Sequence, residues 1–494
     1  MALVLSLDAG TTGVRALAVD QHSNIVGFAY QEFTQFFPEP GWVEHDAAEI
    51  WTAMQAVIAE LLPTLNEPVS AIGITDQRET VVAWDRRTGE PLHKAIVWQD
   101  RRTAARCDAL TEAGHLPMVR HKTGLGLDPY FSGTKFAWLL EEGGVPNDEH
   151  LALGTIDSWL IWKLTDGAAH VTEPSNACRT LLFDIRELAW SAELCDVIGV
   201  PIAALPEVRP SSGRFGVTAD TSAIGPGVPI SGVAGDQQAA LFGQACFEPG
   251  MTKNTYGTGS FLLMNVGNEC PEPVDGLLTT VGWTLGEDQP ATYAYEGSIF
   301  VTGAAIQWLR DGLGIISEAA EIGPLAESVE DTGDVYLVPA FAGLGSPWWD
   351  PYARGTIVGI TRGTGRAELA RATVESMAYQ VRGVVDAMAA GSGLELAELR
   401  VDGGASVMSL LLQLQADQLG VPVTRPTMQE TTALGAAYLA GLAEGVWTSL
   451  DDITNAWKVD VTVEPAANRT EADRHYARWG QAVERSMGWV EAER

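Results

Sequence analysis

The sequence predicts an α/β protein of two related domains with a cleft between them. Its 494 residues are about three times the usual domain size, so two or more cores are expected. Strand-like segments broken by Gly-rich turns occur in both halves, as LVLSLD-AGTTG-VRALAVD near the start and TKNTY-GTG-SFLLMNVG after residue 250. Helix-periodic segments accompany the strands in each half, the pattern of a mixed α/β architecture.

The elements follow in order. LVLSLD and VRALAVD read as a hairpin, and IVGFAYQEF as a third strand, because β-branched and aromatic residues are separated by turn formers. In AAEIWTAMQAVIAELLPTL, Ile50, Met54, Val57, Ile58 and Leu61 recur at helical spacing, Asp46 is a candidate N-cap and Pro63 discourages continuation. AIGITD, VVAWD and KAIVWQD read as strands, with a helix from about Thr103. In the second half, LRVDGGASVMSLLLQLQADQLGVPV reads as strand, acidic-glycine turn, helix and strand, with Leu410, Leu411, Leu414 and Leu419 on the helix's buried side. The division is placed near residue 245, giving domains 1–245 and 246–494 that pack without a low-complexity linker.

Charge narrows the partners. With 31 basic and 64 acidic residues the formal charge is −33, which disfavours nucleic acid and anionic lipid surfaces. Five scattered cysteines without a CxxC pair predict neither a disulfide framework nor a zinc site. The first apolar run stops at Asp8 without a basic n-region, and no later run reaches 18 apolar residues. These features predict a soluble, cytoplasmic protein with no integral membrane segment.

Several nucleotide and hydrolase signatures are missing. No lysine follows a glycine, which excludes a Walker A loop, and GxGxxG, HExxH and GxSxG are all absent. Three other constellations remain. Asp8-Ala9-Gly10-Thr11-Thr12-Gly13, with Arg15 beyond it, could cradle phosphate through amides and hydroxyls and hold Mg²⁺ through its carboxylate; an ordinary Gly-rich hairpin is the other reading. Tyr256-Gly257-Thr258-Gly259-Ser260 and Asp402-Gly403-Gly404 repeat that chemistry. Gln77-Arg78-Glu79-Thr80 and Trp98-Gln99 offer charged donors and acceptors beside a flat apolar surface, suited to a small polyol or equally to an ion pair with a core tryptophan. Asp236, before the apolar AALFG, is either an N-cap or a general base for a hydroxyl nucleophile.

Taken together, the ordered blocks GWVEHD, ITDQRET, AIVWQDRRTA, TGLGLDPYFSGTK, GVAGDQQAALFGQ, NTYGTGSF, GAAIQWLRD, GSPWWDPYARG, VDGGA and TALGAAYLAGL closely resemble the FGGY carbohydrate kinases. That resemblance implies two actin-like (ribonuclease H-like) domains with an interdomain active-site cleft. It also implies transfer of a phosphoryl group from ATP, with Mg²⁺, to glycerol, giving sn-glycerol 3-phosphate. Under it, Arg78, Glu79 and Tyr130 would bind glycerol hydroxyls, with Trp98 and Phe261 along the carbons. Asp236 would be the base, Gln237 would assist binding, and Asp8 and Asp236 would organise the metal. Thr11, Thr12, Arg15, Thr258 and Gly259 would face the ATP phosphates, while Gly303, Gln307 and Gly404 would approach the nucleotide. A homo-oligomer, dimer or tetramer, is implied as well.

The sequence departs from the family pattern at Ala9 for Gln, Asp76 for Asn, and Met408 where an Asn commonly lies near adenine. Two alternatives therefore stand beside glycerol phosphorylation. One is a family member acting on another polyol or a ketose; the other is a non-catalytic, actin-like ATP-binding protein.

Overall fold

Seven consecutive buried residues, Leu3–Ala9 (β1), start the chain. Such a run is buried on both faces, so it belongs in the middle of a sheet. In the computed structural model, which describes residues 2–490, β1 is central. It pairs antiparallel with Gly13–Asp20 (β2), which pairs with Ile25–Glu32 (β3) at the edge. On its other side β1 pairs in parallel with Val69–Asp76 (β4). Ser212–Val217 (β5) and Pro229–Gly235 (β6) complete a six-stranded sheet of order β5-β6-β4-β1-β2-β3.

The second half repeats this plan. Thr252–Tyr256 (β7) and Ser260–Gly267 (β8) form a hairpin, and β8 pairs with Thr292–Ile299 (β10), whose outer neighbour is Leu278–Trp283 (β9). Leu399–Asp402 (β11) runs parallel to β7, followed by Val423–Pro426 (β12) and Val459–Val463 (β13). The order β9-β10-β8-β7-β11-β12-β13 carries the same core as the first sheet: three neighbouring antiparallel strands, with parallel strands added beside the first of them. The expected pair of related α/β domains is the observed architecture.

Helices cover both sheets. Ala47–Leu61 (α1) starts as its sequence suggests, with the Asp46 side chain accepting from the Ala48 and Glu49 amides. Asp236–Gly243 (α2) follows β6, and Arg366–Ser392 (α3) backs the second sheet. In Ser409–Leu419 (α4) the buried side is Leu411, Leu412, Gln415, Ala416 and Gln418. Leu410, Leu414 and Leu419 are only half-buried at its flank, a correction to the sequence reading, which lacked the α3 packing that selects the face.

Thr431–Ala443 (α5) is buried nearly all round. A division at residue 245 assigns α5 to the second domain, yet it packs on β1, β4 and β6 of the first sheet and crosses α2. Apolar side chains from both sheets and both helices, among them Val4, Ala234, Phe242, Leu263, Trp283 and Leu439, form one cluster. The crossing depends on missing side chains: a Cβ at Gly435 would lie 1.8 Å from the Ala239 carbonyl oxygen, and one at Gly243 would lie 1.9 Å from that of Thr431. Both obstacles are helical backbone, which cannot rotate aside as a side chain can. Gly435→Ala is therefore expected to force the helices apart and cost about 1–3 kcal/mol or more, read as a fall in denaturation midpoint. A midpoint indistinguishable from wild type would show that the crossing tolerates separation.

Candidate active site

The sheet registers bring the first Gly-rich turn, the QRET segment and Asp236 together, and β11 beside β7 sets the Asp402 turn next to the Tyr256–Ser260 hairpin. β1 beside β4 sets Ala9 opposite Asp76, and the Gln77 amide continues the ladder to the Ala9 carbonyl (2.8 Å). β6 beside β4 sets Gly235 opposite Asp76 from the other side, so Asp236 emerges next to Arg78. A short five-stranded sheet packs alongside, with Val81–Asp85 and Ala95–Ile96 among its strands. It delivers Trp98, whose Nε1 donates to Thr11 Oγ1 at 3.0 Å.

Arg78 is almost wholly buried and its donors are nearly all assigned. Nη1 and Nη2 grip the two carboxylate oxygens of Glu296, on β10, at 2.5 and 3.0 Å. Nη1 also reaches Gln238 Oε1 at 3.3 Å, and Nη2 the Tyr130 hydroxyl at 3.4 Å. Nε faces Asp236 Oδ1 at 3.3 Å. Glu79 holds a positive φ of 63°, strained for a residue with a Cβ. Two contacts hold it: Ser132 Oγ donates to its carbonyl (3.0 Å) and Arg179 Nε to its Oε1 (2.6 Å). Tyr130 packs edge-on against Trp98 at 5.7 Å between centroids. The QRET arginine and glutamate, Tyr130, Trp98 and Asp236 thus converge.

Asp236 is not an N-cap. Gly235 occupies that position, and Asp236 is the first helical residue, with its Oδ1 accepting from the Gln237 amide at 2.8 Å. About a third of its side chain, 32%, stays exposed, so it faces the cleft. Burial raises its pKa, the Asp8 charge acts in the same sense, and Arg78 and Lys253 oppose them. The outcome is a carboxylate more basic than usual yet beside two cations, which suits proton acceptance. Gln237 accepts from Lys253 Nζ, which also donates to Thr255 Oγ1 (3.0 Å) and to the Phe261 carbonyl (3.2 Å). Burial pulls the Lys253 ammonium down to about 8. Lys253 thus ties α2 to the β7–β8 hairpin that carries Phe261.

The phosphate-facing residues divide. Thr12 is exposed, but Arg15 is directly opposite Asp8 on the hairpin and forms ion pairs with Asp8 and with Glu430 Oε2, the latter at 2.6 Å. The two pairs hold its guanidinium beside Asp8, with part of the side chain still exposed. On the opposite wall, Thr258, Gly303, Gln307 and Gly404 line a cavity of about 610 Å³ together with Met408. Gly259 closes the hairpin turn, where the Gly257 amide donates to its carbonyl at 2.8 Å. Among the described residues no three His, Cys, Asp or Glu side chains form a metal cluster. Mg²⁺ asks a protein for one or two carboxylates and completes its shell with water and substrate phosphates, and Asp8 lies near enough for its charge to act on the part-exposed Asp236.

Residues 3–243 match the N-terminal domain of the FGGY carbohydrate kinases and residues 252–444 match the C-terminal domain. The chain belongs to the FGGY family of carbohydrate kinases. FGGY relatives include a glycerol kinase of Carboxydothermus hydrogenoformans, 56% identical over 98% of both chains, and glycerol kinase 2 of Thermotoga maritima, 54% identical over 99% of both. Among solved FGGY structures, Plasmodium falciparum glycerol kinase with ADP superposes with a TM-score of 0.93 at 34% identity, covering 100% of this chain and 99% of that one. A gluconate kinase of Lactobacillus acidophilus shares the fold, with a TM-score of 0.87 at 20% identity over 98% and 97% of the chains.

Sequence reasoning missed Arg179, Glu296, Lys253 and Gln238. The available signal was a lone charge in an otherwise apolar stretch, as in ATYAYEGSIF for Glu296, since a buried charge demands a partner.

Asp76, where the FGGY pattern has Asn, has a local explanation. Asn176 Nδ2 donates to Asp76 Oδ1 at 3.0 Å, while Asp76 Oδ2 and Asn176 Oδ1 are both buried without a partner. A proton on Oδ2 would spare the site a buried uncompensated charge and make Asp76 a neutral substitute for Asn. Burial, reinforced by Asp157, pushes the Asp76 pKa well up. Because the folded-state value is raised, this group's contribution to stability is present at low pH and lost as pH rises through that value. Asp76→Asn is therefore expected to keep kcat/KM within about threefold and to raise the denaturation midpoint more at about pH 8 than at pH 5. An equal change at both pH values would show that Asp76 does not carry the proton.

Proposed function

We propose that this protein transfers the γ-phosphoryl group of ATP to a terminal hydroxyl of glycerol, forming sn-glycerol 3-phosphate and ADP. One observation carries the reading: Arg78, Glu79, Tyr130 and Trp98 converge around the partly exposed Asp236. The high identity of full-length relatives named glycerol kinase supports it.

In this mechanism Arg78 donates to, and Glu79 accepts from, the hydroxyls distal to the reacting one, while Trp98 and Phe261 flank the carbons. Asp236 takes the proton of the attacking hydroxyl as its oxygen bonds to the γ-phosphorus and the bond from phosphorus to the β,γ-bridging oxygen breaks. Phosphoryl transfer asks for little else from the protein beyond positioning and charge stabilisation. Mg²⁺, when bound with ATP, supplies neutralisation of the phosphate charge, with Asp8 and Asp236 as its protein-side carboxylates. Thr11, Thr12, Thr258 and Gly259 face the phosphates, and Gly303, Gln307 and Gly404 approach the nucleoside, with Met408 as an apolar wall. Arg15 acts on the phosphates through Asp8, whose carboxylate it orients. Closure of the domains excludes water, the competing acceptor. A homo-oligomer in the cytoplasm completes the proposal; among the described residues no helix is long and apolar enough to cross a membrane.

The test is product identity. Incubation with ATP, Mg²⁺ and glycerol should yield sn-glycerol 3-phosphate equimolar with ADP, detected by a stereospecific dehydrogenase. ADP release without glycerol phosphate would refute the assignment.

A further inference from the structure

Behind the residues that face the cleft lies a closed ionic chain that spans the two domains. Glu296 is fully buried in the middle of β10, in the second sheet. Its Oε2 accepts from Arg78 Nη1 at 2.5 Å, and its Oε1 is shared by Arg78 Nη2 at 3.0 Å and Arg179 Nη2 at 3.1 Å. Arg179, also fully buried, passes the connection to Glu79 Oε1 at 2.6 Å, and its guanidinium lies 5.6 Å from the Tyr130 ring. One carboxylate in the second domain therefore ties together the donor and the acceptor proposed to read the substrate hydroxyls, both of which belong to the first. Beyond its two short contacts with Glu296, Arg78 makes longer ones to Tyr130, Asp236, Gln238 and Glu79. Although burial works against ionisation, Arg179 and Arg78 hold the Glu296 carboxyl down at about 2, so the pairing persists throughout the neutral range.

We propose that Glu296 is a positioning residue for acceptor recognition, fixing Arg78 directly and Glu79 through Arg179 at the separation that matches neighbouring hydroxyls of a short polyol. The inference rests on the glycerol reading above. A carboxylate is needed here because two buried guanidiniums repel each other and only an anion with two acceptor oxygens can hold both in fixed orientation. A pocket organised in this way rejects an acceptor lacking one hydroxyl, because the groups that would have bonded it are left buried and unpaired. Loss of the tether lets Arg78 turn toward Asp236 or Tyr130, so the missing hydroxyl is no longer penalised.

The experiment compares wild type with Glu296→Gln, which removes the charge, and Glu296→Asp, which keeps the charge but shortens the reach by one methylene. Circular dichroism and ADP binding establish that each variant is folded. Both variants are expected to raise KM for glycerol at least about tenfold, with KM for ATP within about twofold. The kcat/KM preference for glycerol over propane-1,2-diol should narrow at least about tenfold. A residue needed only to balance charge would be replaced by Asp without loss of that preference, so an unchanged ratio in folded Glu296→Asp overturns the proposal, even where Glu296→Gln does not fold. Wild type is measured first. Should it prefer another acceptor, the glycerol reading fails by itself, and the same ratio is taken between that acceptor and its deoxy analogue.

Discussion

Asp236→Ala is expected to lower kcat by at least about 10²-fold, the lower scale for losing a general base, while the protein stays folded. The side chain is one-third exposed at the first turn of α2, and its contacts are the neighbouring Gln237 amide and Arg78. Little packing is lost on truncation, so any loss of rate reports chemistry. Removing the carboxylate takes away the nearer of two anions facing Arg78 Nε, the other being Glu79 at 3.9 Å, whereas Glu296 continues to hold both Nη atoms. KM for glycerol should therefore change much less than kcat. Steady-state ADP release alongside a denaturation curve checks both points. Near-normal turnover would remove Asp236 from the mechanism, and unfolding would assign it a structural role that its exposure argues against.

Arg78→Ala should act in the opposite sense, mainly on binding and stability. The residue is buried, and it forms a bidentate pair with a fully buried glutamate. Truncation leaves Glu296 with Arg179 as its remaining cation and Asp236 without its neighbour. Breaking a buried pair by deleting one partner costs about 3–5 kcal/mol, because an uncompensated charge stays inside. Where the variant folds, KM for glycerol should rise by at least about tenfold, the consequence of losing the donor to the acceptor hydroxyls. An unchanged KM for glycerol in a folded variant would show that Arg78 serves the domain interface alone.

Local patterns made much of this molecule legible. The strand–glycine turn–strand units at Asp8 and Thr258, and the acidic turn at Asp402, are short-range features, and the strands end at those turns as read. Asp46 caps its helix because capping depends on neighbouring amides alone. What escaped was determined by contacts between distant segments. For Asp236 the sequence left an N-cap and a general base both open; the parallel pairing of β6 with β4 extends the strand through Gly235 and makes Asp236 the first helical residue, which removes the N-cap reading. Helix α5 is apolar on all sides, so its composition announces burial without naming the sheet it covers. The glycines of the first sheet reveal it: a Cβ at Gly73 on β4 would lie 2.1 Å from the Ala436 carbonyl oxygen, and one at Gly232 on β6 would lie 2.2 Å from the Ala440 nitrogen. Glu296 is 218 residues from Arg78 and 117 from Arg179, and no spacing rule connects them. The ion pair of Arg15 with Glu430, on the segment leading into α5, joins residues too distant in sequence for any spacing rule to connect.

A pocket matched to glycerol is the core of the proposed mechanism, and comparison of acceptors tests that match most directly. Rates of ADP release are measured over glycerol, erythritol, xylulose and other polyols and ketoses, at saturating ATP with Mg²⁺. The pocket predicts that kcat/KM is highest for glycerol. A higher kcat/KM for erythritol or xylulose would contradict it, and release of ADP independent of any acceptor would contradict the kinase mechanism itself.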